Sequence, residues 1–229
     1  MQTLKNAIPN SFTLANLACG LLGILWAFEG KLAEAAYLIW LAAAFDFFDG
    51  FLARMLKATT EIGKQLDSLA DLVTFGVLPS FLFYHMLKED LPTPFIYLTF
   101  ATALLSALRL AKFNIDDDQK TEFKGLTTTA NGIFTSSIPL ILASDSFFSP
   151  IFSQPWALFA ACLVFSLLLV TPVTLFSLKF SNFKWGDNQT RFIFIAVSGV
   201  LFVTLWYNAI PLIIVSYILL SILENINKK

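Results

Sequence analysis

Long apolar stretches separated by short polar breaks run the length of the chain. About 20 mostly apolar residues in a helix cross the hydrocarbon core of a bilayer, and eight stretches qualify, at 11–28, 33–56, 62–87, 93–112, 127–144, 155–178, 191–207 and 210–225. The fifth is the weakest, diluted by Thr127, Thr128, Thr129, Asn131, Ser136 and Ser137. The last two are divided only around Asn208 and Pro211 and are easily mistaken for one segment. The N-terminal MQTLKNAIPN is polar and reads as a brief interfacial helix ending before Pro9, with no Arg-rich transit peptide or cleavable signal. The pattern predicts an all-α integral membrane protein, a bundle of about eight transmembrane helices in a single domain over 1–229, without internal repeat or low-complexity linker.

Composition agrees: 57% of residues are hydrophobic, 14% are charged and the mean hydropathy is +0.72, which excludes an ordinary soluble domain. With the N-terminus inside, one side of the membrane receives Lys5, Arg54, Lys57, Lys64, Arg109, Lys112, Lys120, Lys124, Lys179, Lys184, Arg191, Lys228 and Lys229, and the other only Lys31 and Lys88. Basic residues accumulate on the cytoplasmic side, so both termini and the 54–64 loop are predicted to be cytosolic, in the cell membrane. A net charge of −1 gives no support to a nucleic-acid partner. Cys19 and Cys162 fall inside spans without CxxC spacing and read as packing residues rather than a disulfide or zinc site.

Against this background, four carboxylates sit inside apolar helical stretches. The pattern is Asp46-x-x-Asp49-Gly50-x-x-Ala53-Arg54, eight residues, then Gly63-x-x-x-Asp67-x-x-x-Asp71. Charge at membrane depth is expensive and marks function by default. At 3.6 residues per turn Asp46, Asp49, Gly50 and Ala53 share one helix face, and Gly63, Asp67 and Asp71 form a stripe on the next. An antiparallel turn near 58–59 sets Asp46 level with Asp71 and Asp49 level with Asp67. Four such charges cannot all stay ionised together without cations. Hard oxygen ligands select Mg²⁺, Mn²⁺ or Ca²⁺, and two divalent ions would neutralise the cluster while leaving positions for substrate oxygens. Gly50, Ala53 and Gly63 leave room for a ligand against the helices, and Arg54 offers an anion partner.

These eight residues at their spacing resemble the signature of the CDP-alcohol phosphotransferase family, whose members displace CMP from a CDP-linked lipid with an alcohol acceptor. The resemblance implies two metals on Asp46, Asp49, Asp67 and Asp71, with Asp71 also the base for the acceptor hydroxyl, and a CDP-lipid site at Gly50, Ala53, Arg54 and Gly63. It covers about the first six spans, a catalytic core at about 9–145, and constrains the C-terminal helices at about 155–225 poorly. Two further segments resemble the bacterial phosphatidylserine synthases. One is Pro9-Asn10-x-x-Thr13-x-x-Asn16-x-x-x-Gly20, which adds Asn10 and Thr13 to the CDP-lipid site. The other is Arg109-Leu110-Ala111-Lys112-Phe113-Asn114 with Phe123-Lys124-Gly125-Leu126. Thr127 and Thr129 stand where that group has prolines. Arg109, Lys112 and Asn114 are thereby expected to hold serine or phosphate; Arg offers a planar fork for a carboxylate and Lys a movable charge. The implied partners are CDP-diacylglycerol, L-serine and membrane lipid, in a homodimer with a cytosolic active site.

The rival readings are a family member with another acceptor, glycerol 3-phosphate or inositol phosphate, and a divalent-cation transporter. A phosphorylated acceptor should demand more basic residues, and a transporter leaves the glycines and Arg54 unexplained. Asp116, Asp117 and Asp118 read as a solvated turn. The single histidine, His85, lies far from the acids and receives no catalytic part. Trp26, Trp156 and Trp206 read as interfacial, and Trp40 as packing.

Overall fold

Each of the eight apolar stretches contains helix in the computed structural model, which describes residues 2–116, 122–144, 146–176 and 184–227. Helix α1 (Gln2–Phe28) turns back at Gly30 into α2 (Leu32–Met55). Helix α3 (Glu61–Asp71) continues through a π-helical segment, Leu72–Val77, into α4 (Leu78–Leu87). A 3₁₀ turn at Phe95–Phe100 leads into α5 (Ala101–Ile115). Then come α6 (Thr128–Leu142), the single turn α7 (Ser149–Phe152), α8 (Pro155–Leu168), α9 (Trp185–Leu205) and α10 (Ala209–Asn227). Among the described residues, five stretches are long and apolar enough to cross a membrane: Ala7–Phe28, Leu32–Met55, Glu61–Leu87, Phe95–Ile115 and Asn188–Ile226. The last is folded at Trp206, whose φ is +53°, and the rings of Phe194 and Tyr217 meet at 5.5 Å, so α9 and α10 run back along each other.

The structure corrects two sequence expectations here. No separate interfacial helix stops before Pro9; α1 passes through it. Proline within membrane helices is tolerated where the surroundings accommodate the missing backbone donor. The segment expected at 155–178 is helical only to Leu168, because Pro172 forces the residue before it out of helical geometry. The chain then forms a strand, β2 (Thr174–Phe176), antiparallel to β1 (Glu122–Lys124). Neither strand carries a legible sequence signal, since each is three residues long. Lys120, Lys179, Lys228, Lys229, Asp117 and Asp118 lie outside the described residues.

The stretch that looked weakest, α6, is the centre of the bundle, packed on α2, α4, α5, α8 and α10. Asn131, Thr135, Ser136 and Ser137 are fully buried. The three hydroxyls bond back to carbonyls at Asn131 (2.9 Å), Ile133 (2.8 Å) and Phe134 (2.7 Å). Ser136 also accepts the Trp40 indole N–H at 2.8 Å, so Trp40 ties α2 to α6 as well as packing. Polar residues at this point therefore mark interhelical contact. Two apolar clusters flank the helix and share Trp40 and Met86: Ile39, Phe75, Leu78 and Leu82 on one side, Phe83, Phe134, Ile138 and Phe165 on the other.

Candidate active site

The turn between α2 and α3 is set by its own backbone. The Ala58 amide donates to the Ala53 carbonyl at 2.9 Å, and the Thr60 hydroxyl caps α3 by accepting the Gly63 amide at 3.0 Å. A β-carbon on Gly63 would stand 3.1 Å from the Thr60 hydroxyl and 3.3 Å from the Asn10 amide oxygen, a tight fit that a larger residue would relieve only by shifting those side chains. The antiparallel pair brings oxygens of Asp46, Asp49 and Asp67 within 4.8 Å of one another. Asp71, one turn deeper on α3, is buried within electrostatic reach of all three.

Helix α1 orients two of these acids. The Thr13 hydroxyl donates to Asp49 Oδ2 at 2.7 Å, and Asn16 Nδ2 donates to Asp71 Oδ1 at 3.1 Å. These are side-chain bonds to groups that would hold a cation, and removing such a support typically weakens metal binding 10- to 100-fold. Thr13→Val is accordingly expected to raise the Mn²⁺ concentration giving half-maximal activity about tenfold while the chain stays folded, read by cation titration of CMP release. An unchanged titration would count against any role of Thr13 in setting Asp49.

Two small cavities flank the cluster. One, about 190 Å³, is walled by Asn10, Thr13, Gly50, Ala53, Arg54 and Gly63 together with Asp49 and Asp67. All six residues expected at the CDP-lipid site are thus brought to one place. The second, also about 190 Å³, is bordered by Asp71, Arg109, Asn114, Ser68 and Thr127–Thr129. Asp67 and Lys64 border both. A larger cavity of about 530 Å³ contains no acid; it is apolar, lies between α2, α6, α9 and α10, and adjoins the second cavity at Thr127.

Of the three residues expected to hold the acceptor, Arg109 is 7% exposed, and its Nε has no hydrogen-bond partner among the described residues. It lies within electrostatic reach of Asp71. A buried guanidinium with an unused donor at a cavity wall is a ready anion partner. Asn114 also borders this cavity, but its amide exchanges hydrogen bonds with Ser68 (2.9 and 3.2 Å), fastening α5 to α3. Lys112 is exposed and borders neither small cavity. The cation placed there is Lys64, whose ammonium donates to the Asn114 carbonyl at 2.9 Å. Sequence reading counted Lys64 only as a cytosolic charge, although its place beside Gly63 was the available signal. Asp116 accepts a hydrogen bond from Lys124 at 3.2 Å, and His85 meets the rings of Phe28 and Tyr84 away from the acids.

Three half-buried to buried carboxylates offering hard oxygens suit a divalent cation, and Asp67 Oδ1 is buried without a partner among the described residues, an unsatisfied acceptor that such an ion would meet. Comparison with known proteins points the same way. A family model described as CDP-alcohol phosphatidyltransferase matches residues 6–171. The chain is 40% identical over 121 residues to a CDP-diacylglycerol–serine O-phosphatidyltransferase of Bacillus subtilis (strain 168), covering 53% of this chain and 68% of that protein. It is 31% identical over 173 residues to a protein of the same name from Mycobacterium tuberculosis (strain ATCC 25618 / H37Rv), covering 72% and 59%. It is 32% identical over 140 residues to an archaetidylserine synthase of Methanothermobacter thermautotrophicus, covering 58% of each. In the last two matches the chain spans less than two thirds of the relative's length.

Proposed function

Because the chain belongs to the CDP-alcohol phosphatidyltransferase family, we propose that it moves the phosphatidyl group of CDP-diacylglycerol to L-serine, giving phosphatidylserine and CMP. The observation that carries this reading is the pair of small cavities meeting at Asp67 and Lys64 across the acids. One has the glycines and Arg54 for a nucleotide diphosphate; the other has Asp71 and buried Arg109 for a small zwitterionic alcohol.

In this reaction the serine hydroxyl oxygen bonds to the phosphatidyl phosphorus as the bond from that phosphorus to the CMP oxygen breaks. Asp71 takes the hydroxyl proton, and the Asn16 amide holds its carboxylate in place. Arg109 holds the serine carboxylate through its fork. Arg54 and Lys64, at the wall of the nucleotide cavity, attract the diphosphate. Asp46, Asp49, Asp67 and Asp71 would hold two divalent cations, Mg²⁺ or Mn²⁺, which when bound neutralise the charge gathering on the transferred group. Positioning and electrostatics dominate such transfers, so the chain's own work is largely orientation. The large apolar cavity beside Thr127 suits part of an acyl chain.

The same reading places eight crossings in the cytoplasmic membrane, both termini and the acids on the cytosolic side, and the working unit as a homodimer. The Lys and Arg distribution supports the orientation. Labelled serine supplied with CDP-diacylglycerol and Mn²⁺ or Mg²⁺ should enter lipid one-for-one with CMP released. Label entering from glycerol 3-phosphate or inositol phosphate but not from serine would overturn the acceptor. Cation flux without CMP release would overturn the transferase itself.

A further inference from the structure

Helix α10 lies beyond residue 171, where the family match ends. It is apolar, yet three polar side chains recur at Tyr217, Ser221 and Asn225, an i, i+4, i+8 stripe on one face. All three are spent on the backbone of β2. The Tyr217 hydroxyl donates to the Phe176 carbonyl at 2.8 Å, the Phe176 amide donates to Ser221 Oγ at 3.4 Å, and Asn225 Nδ2 donates to the Thr174 carbonyl at 2.6 Å. The Phe176 ring packs edge-on against Tyr217 at 4.9 Å and Phe194 at 5.8 Å. One strand is thus fixed along two turns of α10, on its edge opposite to β1.

The other edge of β2 carries this constraint toward the chemistry. It pairs Thr174 with Lys124, and the next residues are locked as tightly. The Gly125 amide donates to the Val173 carbonyl at 2.8 Å and the Leu126 amide to the Leu168 carbonyl at 2.9 Å. Gly125 has φ +76°, and a β-carbon there would stand 2.6 Å from the Leu169 carbonyl oxygen, so no other residue fits this joint unstrained. Two residues later Thr127 caps α6, and Thr127–Thr129 form the wall of the second cavity opposite Asp71 and Arg109. Tyr217 also stands within electrostatic reach of Arg109.

We propose that Tyr217, Ser221 and Asn225 are positioning residues for the acceptor cavity: by clamping β2 they set, through β1 and the Gly125 joint, where Thr127–Thr129 stand around the alcohol substrate. The C-terminal hairpin thereby belongs to the acceptor site without touching the acceptor. The nucleotide cavity is built from α1, α2 and α3 and shares none of this path, so acceptor and nucleotide binding should separate under mutation; Tyr217 and Thr127 also line the large apolar cavity, so the separation is read most cleanly at Asn225.

The inference rests on the acceptor reading of the second cavity. Tyr217→Phe keeps the ring in its packing and loses only the hydroxyl; Asn225→Ala acts through the strand alone. With the full-length chain in detergent or vesicles, each is expected to raise the serine KM about fivefold, the worth of one net hydrogen bond. In Asn225→Ala, which lies outside the lining of the apolar cavity, KM for CDP-diacylglycerol should stay within twofold, and in both variants the melting temperature should stay within a few degrees. Unchanged serine KM in both variants, or both KM values rising together as the melting temperature falls, would overturn the proposal. A wild-type chain that ignores serine would instead sink the acceptor assignment; the same split is then read with the acceptor it does use.

Discussion

Asp71→Asn is expected to lower kcat about 10³-fold while the protein remains folded. A positioned general base contributes typically 10²–10⁴-fold, and an amide oxygen cannot take the acceptor proton. The replacement is nearly isosteric, and its carbonyl oxygen still accepts the Asn16 hydrogen bond that now reaches Asp71 Oδ1 at 3.1 Å. Packing of α1 against the π-helical segment should survive as well, since it rests on Thr74, whose hydroxyl donates to the Asn16 carbonyl at 3.1 Å. CMP release with saturating serine measures kcat, and a melting curve in detergent measures the fold. A kcat within tenfold of wild type would remove Asp71 from the chemistry.

Substituting Asp67 should act differently, through the cation. This residue borders both small cavities, belongs to the acid triad, and carries the buried unpartnered Oδ1. Asp67→Asn is expected to lower activity at least about 100-fold at the wild-type Mn²⁺ optimum, with partial recovery as Mn²⁺ is raised, because a ligand is lost outright rather than merely misoriented. Without cations the sign reverses for stability. Like charges held close destabilise one another, so the variant should melt above cation-stripped wild type, while wild type gains more on adding Mn²⁺ by mass action. Chelation should abolish wild-type turnover. Equal cation-induced stabilisation in the two proteins would show that Asp67 binds no metal.

The π-helical segment immediately after Asp71 lies among tight contacts. A β-carbon on Gly20 would stand 2.4 Å from the Thr74 hydroxyl, and one on Gly132 would stand 2.9 Å from the Phe75 ring, so α1 and α6 grip this turn from two sides. Insertions of this type inside an α-helix frequently lie at functional sites. Nothing in the sequence reading anticipated it, because a change of one residue per turn leaves the apolar pattern of the span intact.

What the sequence determined was whatever depends on local spacing. Helical periodicity alone put the acids of α2 on one face and those of α3 on another, and one short turn between them sufficed to bring Asp46, Asp49 and Asp67 together. The expected CDP-lipid residues needed only α1 laid against that pair. Spacing failed where partners come from far along the chain. It ranked Lys112 with Arg109, although the cavity beside α3 is bordered by buried Arg109 and by exposed Lys64; it read the polar residues of α6 as dilution, although they are interhelical contacts; and it carried the sixth span through Pro172. The ribbon of β1 and β2, the Gly125 joint and the α10 stripe that fixes them exist only once segments some 50 to 100 residues apart are packed. A three-residue strand has no periodicity to read, and its stability comes wholly from the partners that folding supplies.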